Sequence, residues 1–145
     1  MELQYIHLTT YSSLLAAAPV MQQLRPHDSL EKLANKMHTQ MKSGYRLLAA
    51  MQGEQVVALA GYVINEKLAW GKHLYIDDLV TVDSARGKGI GDGLMEACIQ
   101  IAKEQQCESL HLDSGVQRFN AHRFYLRKRM AIASHHFALT LSHDA

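Results

Sequence analysis

Apolar and polar positions along the chain follow two rhythms, one of period two and one near 3.6. The run Leu3 to Leu8 can form a first strand, and Leu14, Leu15, Ala18 and Met21 then recur at helical spacing and stop before Pro26. Asp28 with Glu31 three residues on resembles a capping box, and behind it Leu30, Leu33, Ala34, Met37 and Met41 mark a second helix, closed by Ser43-Gly44. Tyr45 to Met51 and Gln55 to Ile64 read as strands joined by a tight turn at Gln52-Gly53. Beyond the loop around Trp70-Gly71-Lys72, the run His73 to Val82 is the most strand-like of the chain. It feeds straight into a glycine-rich segment. From Gly89 to Gln105 the residues Ile90, Leu94, Ala97, Cys98, Ile101 and Ala102 line one face of a long helix. Leu110 and Leu112 alternate with His111 and Asp113 as a further strand, Arg118 to Lys128 reads as a short helix, and Ala131 to Leu141 reads as a terminal strand or hairpin arm with Phe137, Leu139 and Leu141 alternating.

The resulting order, β-α-α-β-β-β-α-β-α-β, predicts an α/β fold with a mixed central sheet flanked by helices. With 145 residues, no repeat, no low-complexity tract and no Pro/Gly/Ser linker, residues 1–145 read as one domain, long enough to bury a core without staples. A formal net charge of +1 gives no overall pull toward nucleic acid or membrane surfaces, so any basic site must be local. Cys98 and Cys107 form neither a CxxC pair nor a disulfide framework and are expected to be reduced packing residues. No apolar run approaches the ~20 residues of a membrane span. The start lacks the plan of a signal peptide, and a cytoplasmic location is the default expectation.

The candidate chemistry begins where the strand through Val82 passes Asp83-Ser84-Ala85 into Arg86-Gly87-Lys88-Gly89-Ile90-Gly91 and then a helix. Glycines let backbone approach a ligand and adopt positive φ, and the first amides of a helix point at that ligand with the positive end of the dipole. A phosphate is the natural guest, and Arg86 and Lys88 add charge there. The dinucleotide pattern G-x-G-x-x-G fails, because its last position would be Asp92 or Leu94. No Walker string G-x-x-x-x-G-K-[ST] exists. The pattern [Q/R]-x-x-G-x-[G/A] is satisfied by Arg86, Gly89 and Gly91.

Together with Asp77-Asp78-Leu79-Val80-Thr81-Val82, this segment resembles the acetyl-CoA motif of the GNAT superfamily of N-acetyltransferases. The resemblance implies acetyl-CoA as cosubstrate, with its pyrophosphate on Arg86, Gly87, Lys88, Gly89, Ile90, Gly91 and Asp92 and its pantetheine along Leu79, Val80 and Thr81. About thirty residues downstream, Ala121, Phe124 and Tyr125 match the family's second motif, N-x-x-A-x-x-F-Y followed by glycine; Arg118 stands in the Asn position and Arg129 in the Gly position. The resemblance implies that Tyr125 protonates the departing thiolate. A phenol pKa of ~10 beside a thiol pKa of ~8.5 suits that transfer. A carboxylate on the central strand would relieve the acceptor ammonium of its proton. Asp77 and Asp78 are the candidates, adjacent strand residues face opposite ways unless a bulge breaks the alternation, and the resemblance implies Asp77 at the position of the more frequent base.

Other features stay secondary. The nine histidines are scattered, without an H-x-x-x-H or His/Cys cluster, so no metal is assigned. His111 and His122 flank the expected cleft, and Arg123, Arg127, Lys128 and Arg129 form a local cationic run that reads first as a solvated helix face. Tyr11, Arg25, His27 and Trp70 fall in segments that in this family often shape the acceptor pocket. The expected partner is a small-molecule or peptide amine, with a homodimer through the terminal strand also open. The alternatives are a catalytically idle acyl-CoA-binding or regulatory module of the same fold, and a nucleotide- or phosphate-binding protein of another class.

Overall fold

The computed structural model describes residues 2–142. In chain order it contains β1 (Leu3–Leu8), α1 (Tyr11–Leu24), α2 (Leu30–Met41), β2 (Arg46–Gln52), β3 (Gln55–Lys67), β4 (Gly71–Thr81), a 3-10 turn at Asp83–Ala85, α3 (Ile90–Glu104), β5 (Ser109–Leu112) and α4 (Phe119–Arg127). The chain forms two compact units, Met1–Leu112 and Asp113–Ala145.

The first unit is a five-stranded sheet in the order β1-β2-β3-β4-β5. Neighbours are antiparallel except β4 and β5, which run parallel and are joined through α3. That is the expected connection for a parallel pair. Helices α1 and α2 cover one face: Leu14, Ala17, Ala18, Met21, Leu33, Ala34 and Met37 pack with Tyr45, Leu47, Ala49, Leu59 and Val80. Helix α3 covers the other with Ile90, Leu94, Met95, Cys98 and Ala102. Each sheet residue buried on one face alternates with one buried on the other, which explains why Arg46–Gln52 reads as a nearly continuous apolar run. Both cysteines are free, and burial pushes the Cys98 thiol up to about 12, so it is a packing group.

One sequence expectation changes in detail. Helix α2 is capped by Ser29, whose side chain accepts from the Lys32 amide, and Asp28 instead pairs with Lys32 and Lys36. Serine reaches the orphan amide from the position adjoining the helix. Helix α1 carries the reciprocal capping box, between Thr10 and Ser13.

The second unit holds α4 and the C-terminal segment. The strand expected over Ala131–Leu141 is not formed: residues 130–142 carry no regular secondary structure. Phe137, Leu139 and Leu141 are 91%, 84% and 70% exposed. Their alternation is a strand pattern, but a strand needs a hydrogen-bonding neighbour, and this segment has no ladder partner among the described residues.

Candidate active site

Strand β4 organises the site through one irregularity. Asp78 pairs with Gly61 and Ile76 with Tyr62, so Asp77 is an extra residue bulged from the β3–β4 ladder. The bulge inverts the facing of the strand. Val80, opposite Leu59, joins the α1–α2 core, whereas Ile76 is opposite Tyr62, which lies beside Cys98 of α3. Strict alternation would have put Ile76, Asp78 and Val80 on one face.

Asp78 therefore points toward the α1–α2 side, where it is tightly held. Arg25, at the C-terminal end of α1, donates from Nε and Nη2 to Asp78 Oδ1 at 3.0 and 2.8 Å, and the Tyr45 hydroxyl donates to Oδ2 at 2.8 Å. Burial pushes the Tyr45 phenol far up, reinforced by the charge of Asp78 and the hydrogen bond to it, so it stays a donor. Gly61 makes this possible, because a Cβ there would run into the Tyr45 ring and hydroxyl. Sequence inspection does not find Tyr45 or Gly61: both belong to ordinary strand segments, and only the β2–β3–β4 register brings them to Asp78.

Asp77 differs. Its backbone carbonyl accepts from Arg25 Nη2 at 3.1 Å, while its carboxylate opens to solvent and makes no hydrogen bond among the described residues. Partial desolvation raises its pKa above the ordinary carboxylate value; the neighbouring Asp78 charge adds to this and Arg25 opposes it.

On its other side β4 pairs with β5 only from His73 to Ile76. From Asp77 to Thr81 the backbone groups facing away from β3 have no strand partner among the described residues. Leu79, Val80 and Thr81 thus present an edge that an extended ligand arm can join. The edge leads into the glycine turn. Gly87 and Gly89 have φ of 78° and 77°, and a Cβ on either would meet nothing within 4 Å. Gly89 is the N-cap of α3 and has no side chain to cap it, and the first helical bond runs from the Gly93 amide to Gly89. The amides of Ile90 and Gly91 thus precede the ladder. Arg86 is drawn to Asp83 at 3.1 Å and donates from Nε to the Thr81 carbonyl at 3.3 Å, so it braces the turn. Asp92 sits in the same first turn with an acidic side chain, so its suitable contribution to an anion is its amide. Gly93 has another job: a side chain there would strike the Tyr5 hydroxyl of β1. The uncapped amides, the open space over two glycines and the free edge together fit a diphosphate continued by a linear arm.

Tyr125 lies on α4 in the second unit, half-buried, edge-on to Phe124. Burial raises its phenol and Arg118 works against this. The two departures from the second motif have structural consequences. Arg118 occupies the N-cap of α4 without a side-chain cap bond, a place where Asn would supply an acceptor. Arg129 adopts φ 66°, while the Met130 amide closes back on the Tyr125 carbonyl at 3.1 Å. That is the left-handed helix exit a glycine takes without strain, and a side chain there costs ~1–2 kcal/mol.

Trp70, His73, His111 and His122 take structural roles. Trp70 stacks on His111 with centroids 3.7 Å apart, lies edge-on to the buried His73, and carries the Lys67 ammonium 4.5 Å from its ring centre. His111 also bonds Ser109 at 2.8 Å. This cluster holds the start of β4 to β5, at the end of β4 remote from the glycine turn. His122 bonds the Gly115 carbonyl at 2.8 Å within the second unit.

Comparison with known proteins agrees with this geometry. Residues 9–130 match the acetyltransferase (GNAT) family. The chain is 32% identical over 122 residues to YhdJ, an uncharacterized N-acetyltransferase of Bacillus subtilis (strain 168), covering 83% of this chain and 86% of that one. It is 35% identical over 75 residues to a streptothricin acetyltransferase of Streptomyces lavendulae, across 52% of this chain and 39% of the relative. Its fold matches integron cassette protein VCH_CASS6 from the mobile metagenome of V. cholerae, with a TM-score of 0.83 and 23% identity over 99% of this chain and 94% of that one. A five-stranded sheet opened at β4, a glycine turn at the head of α3 and the family match across most of the chain lead to one assignment: the protein belongs to the GNAT family of acetyltransferases.

Proposed function

We propose that the protein is an acetyl-CoA-dependent N-acetyltransferase in which a primary amine attacks the thioester directly. The observation that carries this reading is the continuity of the β4 edge at Leu79, Val80 and Thr81, which has no strand partner among the described residues, with the uncapped turn at Gly87 to Gly91, open over Gly87 and Gly89. The edge binds the pantetheine arm by main-chain hydrogen bonds, and the turn binds the diphosphate, with Lys88 supplying charge. The family match runs through both compact units, which supports treating 1–145 as one catalytic domain.

Asp77 accepts the proton of the acceptor ammonium, directly or through water. Its open carboxylate and raised pKa suit a base, whereas both oxygens of Asp78 are already engaged by Arg25 and Tyr45. Tyr125 gives its phenolic proton to the sulfur as the thiolate leaves. A small-molecule or peptide amine is the acceptor, and the streptothricin acetyltransferase relative makes streptothricin the first compound to screen. Acetyl-CoA incubated with a panel of amines should release free thiol in step with acetylated product. Acetyl-CoA binding without release across the whole panel would identify an idle binding module, and stronger thermal stabilisation by ATP or NAD would point to another class of phosphate-binding protein.

The C-terminal segment supports a homodimer. Centred on Leu139, an antiparallel pair of such segments sets Phe137 against Leu141 and Leu139 against itself, a self-complementary apolar face about a two-fold axis. Light scattering should give a dimer for the protein and a monomer for Leu139→Asp. A monomeric parent protein would dismiss this arrangement.

A further inference from the structure

Asp78 is the most heavily engaged carboxylate near the site, yet with Asp77 as the base it does not perform the chemistry. Its partners come from two distant places in the chain, Arg25 from the end of α1 and Tyr45 from the entry to β2, and meet it on β4 beside the bulge. Arg25 hydrogen-bonds to both acidic residues. One guanidinium nitrogen, Nη2, reaches the Asp77 carbonyl at 3.1 Å and Asp78 Oδ1 at 2.8 Å, and Nε adds a second bond to Oδ1 at 3.0 Å.

We propose that Arg25 is a positioning residue for the reaction: by gripping the Asp77 carbonyl and the Asp78 carboxylate at once, it fixes the bulge and keeps the Asp77 carboxylate turned to the open side of the strand. A bulged residue lacks a ladder partner, so its carbonyl needs a donor from elsewhere, and Arg25 is that donor. Planarity matters here. The guanidinium presents its donors in a rigid fork, which a lysine cannot reproduce. Tyr45 holds the opposite oxygen of Asp78, so the carboxylate cannot swing toward Asp77, and Gly61 leaves space for the phenol. The Arg25 side chain is 52% exposed and that of Asp78 is 16% exposed, so the clamp is open to water on one side and closed on the other.

The arrangement also sets the electrostatics around Asp77. The groups acting on it are the Asp78 carboxylate on its own strand and the Arg25 guanidinium from α1, with the neutral Tyr45 phenol on the far side of Asp78. Removing the positive charge disfavours the Asp77 carboxylate, and removing the Asp78 negative charge favours it.

The inference rests on Asp77 being the proton acceptor, and its test is chosen to be independent of turnover. Carbon-detected NMR titration of the Asp77 carboxyl is measured in the full-length protein, in Arg25→Gln and in Asp78→Asn. The midpoint should move up in Arg25→Gln and down in Asp78→Asn, and Arg25→Lys should stay nearer the parent than Arg25→Gln. A general loosening of the fold would not move the midpoint in opposite directions. Unmoved midpoints in the first two variants overturn the proposal. Should Arg25→Gln fail to fold, the Asp78→Asn titration decides alone, a downward shift supporting the clamp and no shift rejecting it. With any amine that is turned over, the acid limb of kcat/KM should follow the same two directions. If the midpoints move as stated but Asp77→Asn turns that amine over at the parent rate, the clamp stands and the assignment of Asp77 as base falls.

Discussion

Replacing Gly89 by valine is expected to weaken acetyl-CoA binding by about 100-fold, which corresponds to ~2.7 kcal/mol. Gly89 caps α3 at φ 77°, a conformation that a β-branched residue adopts only under strain. The valine backbone can relieve that strain by rotating toward negative φ, which turns the Ile90 and Gly91 amides away from the anion. Losing one or two hydrogen bonds to a charged group, each worth ~1.5–3 kcal/mol, accounts for the effect. Apart from the adjoining backbone and chain neighbours, nothing lies within 4 Å of the point a Cβ would occupy on Gly89, so the free fold has no packing need for glycine there. Gly93→Ala is the control. Its new methyl group meets the hydroxyl of the exposed Tyr5 side chain, which can turn aside, so both fold and binding should be retained. Calorimetric titration with acetyl-CoA and thermal melts of both variants compare the two positions. Parent-like affinity in Gly89→Val would place the diphosphate elsewhere.

Tyr125→Phe is expected to lower kcat by about 100-fold, in the range of a lost general acid, with the affinity for acetyl-CoA unchanged. The ring and its contact with Phe124 are preserved, so only the proton donor is removed. The sign of the pH dependence follows from the direction of the shift. Burial raises the phenol above its ordinary value of ~10, so the donor form persists through the neutral range and the basic limb of the parent profile lies at high pH. Arg118, which opposes that shift, makes Arg118→Gln a companion variant whose basic limb should move further up. A Tyr125→Phe enzyme with parent kcat and an unaltered alkaline limb would remove the tyrosine from the mechanism.

These expectations draw on two kinds of information. The glycine turn was legible because its geometry is local: a few consecutive residues set the φ angles, the uncapped amides and the start of α3. The helices and strands of the first unit were legible for the same reason, since burial on one face imposes its period on neighbouring residues. Capping was less so. Asp28 and Ser29 are both competent caps, and the choice of Ser29 depends on Asp28 being drawn to Lys32 and Lys36.

The terminal segment marks a different limit. Its alternation of Phe137, Leu139 and Leu141 describes a face that wants covering, but a residue pattern does not name the neighbour that would cover it. Conversely, nothing in the local sequence distinguishes Asp77 from Asp78. Their difference arises from a one-residue bulge opposite Gly61 and Tyr62, a matter of how β3 and β4 are registered.

The amino-acid sequence by itself determined the α/β element order as far as α4, the family and the glycine turn, because each is encoded by short-range spacing and backbone preference. The tertiary structure alone decided which acidic residue is left open, through the bulge and through Arg25 and Tyr45, which lie 53 and 33 residues from Asp78 along the chain. Electrostatic partners act through space, and their distances are set only when the sheet and α1 have packed.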